Sequence, residues 1–349
     1  LELQQYVGGH RSVLLGAGIH RVIDPIEANG ISDTENSLST FILHRDYRDH
    51  YTRHGWSAFL RYYGRTRPLE AAIEYQDERH GSSAPRTPWS LLDNDEAWRL
   101  QPRIAEGDLR SIRGSLRWDT RNDRVDPAAG WLVEAEVEQG LEGDLRYLAY
   151  DPAFPGDPDP PVVERSATAE FTTARLDVRR YLRVGPHSRF ALRAAFAGSP
   201  DDGALPAQRQ HVLGGEGTLP GYDRWAFDCG ARDAVPVDSF TPYYGCDRSV
   251  LFQAEYRHAF LGSGGLGLGR LLGLDFDLVT NPELVVFADA GRAWIEAESR
   301  GTRVELGTSD LQVDAGLGLR LGRLGLYLAV PLSGGADGPN FFIRLGPRL

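Results

Sequence analysis

The stretch Gly130–Gly140, GWLVEAEVEQG, decides the fold. Trp131, Val133, Ala135 and Val137 fall on one side of an extended chain, with Leu132, Glu134, Glu136 and Glu138 on the other. The preceding segment offers matching cations. In RGSLRWD, Leu116 and Trp118 share one side while Arg113, Ser115, Arg117 and Asp119 share the opposite one. Opposed charges on neighbouring strands pair favourably. A soluble sandwich seals its apolar side between two sheets and exposes a mixed side to water. Here rows of both charge signs lie opposite a smooth apolar side, which suits an ionic lumen with lipid outside. The expected fold is therefore all-β, a transmembrane antiparallel β-barrel.

The same alternation recurs along the chain. Leu69, Ala71, Ile73 and Tyr75 oppose Glu70, Ala72, Glu74 and Gln76; Ala315, Leu317, Leu319 and Leu321 oppose Asp314, Gly316, Gly318 and Arg320. Strands are expected near 11–22, 38–46, 55–63, 68–78, 109–119, 130–139, 168–182, 188–198, 249–259, 283–294, 311–321, 324–332 and 340–348, with a further one near 96–103. That gives about fourteen, in a range of about twelve to sixteen. Long and short connections alternate, as in barrels with long outer loops and short periplasmic turns. The exception is 262–282, a long piece on the short-turn side, where an interfacial segment is expected.

Composition agrees. The chain has 349 residues, 40 of them glycine, and its mean hydropathy of −0.36 fits strands with one polar side. It contains no apolar run long enough for a membrane-spanning helix. A net charge of −11 argues against nucleic acid as a partner. Every basic side chain other than histidine is arginine, the residue suited to fixed ion pairs. With no Met and Leu at position 1, a start further upstream and a removed signal peptide are expected. A single barrel domain is expected over 1–349, with no linker.

Cys229 and Cys246 lie in one inter-strand segment with no histidine-rich motif beside them. A disulfide in an oxidising compartment is the favoured reading, against two free thiols. The nine histidines are dispersed and show no H-E-x-x-H pattern, and no G-x-S-x-G elbow is present. Neither an enzyme nor a cofactor or metal site is expected.

Four segments in order then resemble the barrel of the BamA/TamA outer-membrane assembly superfamily, the bacterial surface antigens, over about 109–349. DTRNDRVDPAAG resembles the family's periplasmic turn through Asp119, Arg121, Pro127 and Gly130. LGGEGTLPGY is similar to the signature of the inward-folding outer loop through Gly214, Gly215, Leu219, Gly221 and Tyr222. LFQAEYRHAF resembles the strand that follows, with Glu255 on the lumen side. VVFADAGRAW is similar to the later Phe-x-Asp-x-Gly strand through Phe287, Asp289 and Gly291.

The resemblance implies a loop arginine that pairs in the lumen with Asp289. Pro220 stands at that position, and Arg224 is the expected substitute, reaching Asp289 or Glu255. Phe341, Ile343 and Leu345 resemble a closing-strand signal, although the last residue is Leu349 rather than an aromatic. The implied role is insertion or translocation of proteins or lipids at a Gram-negative outer membrane. Outer-membrane lipid would surround the barrel, and unfolded outer-membrane proteins or lipids would be its substrates. No POTRA-like βααβ segment is expected within this chain. A passive pore or structural barrel is the alternative, and a barrel enzyme a further one.

Overall fold

The computed structural model describes the chain apart from residues 9–11, 27–30, 65–67, 85–86, 93–97, 99, 152, 154–160, 202, 225, 228, 230–240, 243–244, 261–265, 268–278, 281, 296–310 and 335–337. One antiparallel sheet of fourteen strands dominates it. The strands are β1 (Glu2–Val7), β2 (Val13–Pro25), β3 (His50–Tyr63), β4 (Leu69–Ser82), β5 (Glu106–Asp119), β6 (Gly130–Tyr150) and β7 (Val162–Ala167). They continue as β8 (Thr172–Arg183), β9 (Ser188–Gly198), β10 (Arg248–Ala259), β11 (Pro282–Trp294), β12 (Gln312–Leu321), β13 (Leu324–Pro331) and β14 (Asn340–Leu345). Each pairs with its neighbour in chain order, except that β6 takes both β7 and β8. Strand β6 has 21 residues, about twice what crossing hydrocarbon requires, and its outer part forms a hairpin with β7.

The register follows from the charge rows. Arg113 lies opposite Glu138 and Arg117 opposite Glu134, with N···O separations of 3.0 and 3.4 Å. Burial runs opposite to that of a soluble sheet. Along β10, Ser249, Gln253, Glu255 and Arg257 are buried while Phe252 is 50% exposed. Along β14, Arg344 is buried between exposed Ile343 and Leu345, and Phe341 is exposed as well. Polar groups therefore line an interior, and the aliphatic and aromatic side forms the outer surface, the arrangement a barrel needs in lipid.

Two expected strands are corrected. Residues 38–46 belong mostly to an α-helix, α1 (Asp33–Leu43), in the β2–β3 connection. Ser32 and Glu35 form a capping box there, satisfying two otherwise free backbone donors. Among the described residues near 96–103, only Pro102–Arg103 is extended, in a two-residue parallel ladder with Thr241–Pro242. The places of these two are taken by β1 and β7. Strand β1 is solvent-exposed along its whole length, and β7 is a six-residue outer arm with no buried side chain, so neither presents a buried face. The expected interfacial segment at 262–282 lies largely outside the described residues.

Candidate functional site

The β9–β10 connection turns inward. Gly215 sits at φ +82°, a conformation glycine adopts without a Cβ clash. Its N–H donates to Tyr222 O (3.1 Å), and Thr218 N donates to Gly215 O (3.0 Å), so the tip is a tight backbone knot. Gly214 N donates to Thr218 Oγ1 at 2.9 Å.

The knot is bound to the barrel wall on several sides. Gln253 Nε2 on β10 donates to Thr218 O (2.9 Å), and Asn340 Nδ2 on β14 donates to Pro220 O (2.9 Å). Gly221 N donates to Asp314 Oδ2 on β12 at 2.7 Å. The Tyr222 hydroxyl lies 3.0 Å from both Val313 O and Ser333 O, and 2.6 Å from Ser333 Oγ. Arg344 Nη1 donates to Glu216 O at 3.1 Å. Leu219 and Tyr222 are buried against Leu213 and Leu251, and each such side chain contributes about 1.5–3 kcal/mol. Gly221 is required by proximity, because a Cβ there would stand 2.6 Å from Asp314 Cβ.

The expected lumen partners are on the correct face, but their cation comes from elsewhere. Glu255 and Asp289 are buried. Gly291 faces the loop, where a Cβ would meet Leu213 Cδ1 at 3.1 Å. Asp289 pairs with Arg348, whose Nη1 is also 3.7 Å from Glu255. The Arg348 guanidinium stacks 3.7 Å from the Phe287 ring centroid. Arg224 instead lies over the Tyr47 ring at 5.5 Å, because its stem packs against the Gly215 turn, with Cβ 3.1 Å from where a Gly215 Cβ would be. Arg348 arrives because the chain leaves β14 at Gly346, φ +129°, and folds inward. Leu349 ends against Tyr181 and Ala191, and its carbonyl accepts from Arg257 Nη2 at 3.0 Å. The closing strand is thus shorter than the expected 340–348. Its Gly-Pro pair was the only sequence signal of the reversal.

At the short-turn end, Asp119 accepts two hydrogen bonds from the Arg121 guanidinium, at 2.9 and 2.8 Å. Gly130 sits at φ +111°, where a Cβ would stand 2.3 Å from Thr120 O, and Pro127 lies within the turn. This turn places Asp126, missed in the sequence, within 2.8 Å of Arg320, 3.0 Å of Arg189 and 3.3 Å of Arg257. Burial alone would raise its pKa, but Arg320 and Arg189 hold the carboxyl below the usual carboxylate range. A depressed folded pKa means the stabilisation is present above the unfolded value, about 3.9, and disappears as pH falls through the folded one. The stability gap between wild type and Asp126→Asn, measured by urea unfolding in detergent, is therefore expected to be constant at neutral pH. It should close only below about pH 4.

Cys229 and Cys246 form a disulfide, 17 residues apart in sequence. Closing a loop of that size is worth about 3 kcal/mol of chain entropy. Replacing both cysteines by serine is expected to speed proteolysis between them severalfold without unfolding the sheet, as read by limited digestion and the heat-dependent gel shift.

A sheet greasy outside and ionic inside, holding the Gly214–Tyr222 loop and residues 346–349 in its lumen, defines a transmembrane β-barrel with an internal plug. The chain belongs to the Omp85 superfamily: the Omp85 superfamily domain matches residues 69–341, beginning before the motif-bearing stretch. No curated protein matches it as a relative. Among solved structures it is similar to BamA from Haemophilus ducreyi lacking POTRA domains 1–3, at 13% identity and a TM-score of 0.56. That alignment covers 98% of this chain and 61% of the BamA chain. It is also similar to CdiB from Escherichia coli, at 12% identity and a TM-score of 0.36, with the same coverages. The chain thus spans 61% of the length of each.

Proposed function

We infer that this chain forms the barrel of an outer-membrane assembly or translocation protein in a Gram-negative bacterium, aiding insertion or passage of proteins or lipids. One observation carries the reading: the Gly214–Tyr222 knot is bound to β10, β12 and β14 by backbone-directed hydrogen bonds. A passive porin needs an open lumen. A lumen occupied by a loop bound to three wall strands, β10, β12 and β14, suits a protein whose wall, rather than whose pore, handles substrate. Membership of the Omp85 superfamily supports the same reading.

The experiment has two parts. In planar bilayers, the intact barrel is expected to show small, unstable conductance that rises sharply when residues 214–224 are deleted. In liposomes, it is expected to accelerate insertion of an unfolded outer-membrane porin over protein-free vesicles. A large steady conductance that deletion leaves unchanged, with no acceleration, sinks the proposal and leaves a passive pore.

A further inference from the structure

The helix α1, in the β2–β3 connection, makes one contact that neither the plug nor the ion-pair rows require. Gly346 N donates to Arg323 O on the β13 side at 2.7 Å. Bonded and non-bonded pairs alternate along an antiparallel ladder, so the neighbouring Leu345 N–H is turned away from β13. Its acceptor is Glu35 Oε1 of α1, at 2.6 Å. A helix carboxylate thus stands where the carbonyl of a pairing strand would stand.

The same carboxylate reaches the inward loop through one arginine. Arg344 Nε donates to Glu35 Oε1 at 2.9 Å, and Arg344 Nη1 donates to Glu216 O of the loop tip at 3.1 Å. One guanidinium therefore joins α1, the closing strand and the Gly214–Tyr222 knot. The segment after α1 grips the knot a second time. Asn36 bonds to Asp46 and to Tyr47 N, at 3.0 and 2.9 Å, and the Tyr47 ring lies under Arg224.

Glu35 is held ready for this role. Its Oε2 accepts from Ser32 N at 3.0 Å, which orients the carboxylate. Burial would raise its pKa, but Arg344 holds the carboxyl below the usual range, so it is ionised at neutral pH and accepts strongly. The helix has no buried residue. Polar contacts near its first turn fix its place, so it can leave without opening a core.

We propose that α1 is a releasable strap: Glu35 caps the edge of β14 turned away from β13 and, through Arg344, holds the knot down. Anything that pairs with this edge must displace Glu35, and doing so loosens the knot.

The test is hydrogen exchange read by mass spectrometry on the whole chain in detergent. Glu35→Ala removes the acceptor but keeps the Glu35 N–H bond to Ser32 Oγ that starts the helix. It is expected to speed exchange at Leu345 about tenfold or more, and exchange across 214–222 severalfold. Arg344→Gln should loosen 214–222 to a similar degree, and the double variant should add little to either single one. Asp33→Ala, which removes an exposed carboxylate of the same helical turn paired with Arg48, should leave both segments at wild-type rates. The heat-dependent gel shift confirms a folded barrel in each variant. Wild-type exchange at Leu345 in Glu35→Ala overturns the proposal. So does faster exchange at Leu345 with 214–222 unchanged, which would leave an edge cap without a strap. Neither readout involves substrate insertion, so this test and the insertion assay fail independently.

Discussion

Replacing Gly221 with valine is expected to undock the inward loop. The loop backbone passes so close to β12 that even a methyl at Gly221 would overlap Asp314 Cβ at 2.6 Å and crowd Pro331 N at 3.0 Å. Neither atom can yield without moving a strand. The Gly221 N–H bond to Asp314 would be lost with the displacement. Asp314 is fully buried and its other carboxylate oxygen has no hydrogen-bond partner, so the loss strands the whole group. A hydrogen bond contributes about 0.5–1.5 kcal/mol net, and a buried carboxyl left without one costs about 1–3 kcal/mol. With the Tyr222 and Leu219 burial that depends on the same pose, the docked state should lose at least a hundredfold in population, about 3 kcal/mol. Planar-bilayer conductance should rise severalfold, and loop cleavage by added protease should accelerate, while the gel shift of the folded barrel is retained. Gly221→Ala should show the same change to a smaller degree. Wild-type conductance in Gly221→Val would mean that the loop does not close the lumen.

The second large effect belongs to the C-terminal arginine. Arg348→Ala is expected to destabilise the barrel by about 3–5 kcal/mol, because it leaves Asp289 buried beside Glu255 without its cation. Glu255 keeps Arg257, so the penalty should fall mainly on Asp289. The double variant Arg348→Ala with Asp289→Ala should therefore recover much of the loss, giving a strong coupling term in a double-mutant cycle. Urea unfolding followed by tryptophan fluorescence reads all four proteins. Additive effects, or a single-variant loss below about 0.5 kcal/mol, would show that the pair does not hold the tail. Arg224→Ala serves as the control. Its guanidinium lies over Tyr47 rather than in the acidic cluster, so it should not couple to Asp289.

Resemblance and charge pattern assigned Asp289 a cation but chose the wrong one. The sequence offers Arg224 three residues beyond Gly221, and chain distance made it the nearest candidate. In the folded protein, proximity in the lumen is set by which strands face each other and by where the chain reverses. Gly346 turns the tail inward and carries Arg348 to β11, 59 residues away in sequence. Asp126 illustrates the same limit, since its three arginines come from β9, β10 and β12.

What the sequence determined by itself was the orientation of every clean strand. Side chains alternate across a pleated chain, so the rows Arg113–Arg117 and Glu134–Glu138 fixed both the polar face and its neighbour, and the register followed. The glycines of the inward loop were legible for a similar local reason, as positions needing positive φ or close approach. Only the tertiary structure decided which groups meet across the lumen. Those contacts join residues tens to hundreds of positions apart, and no local periodicity encodes them. They depend on the curvature of a whole sheet and on where two chain segments enter its interior.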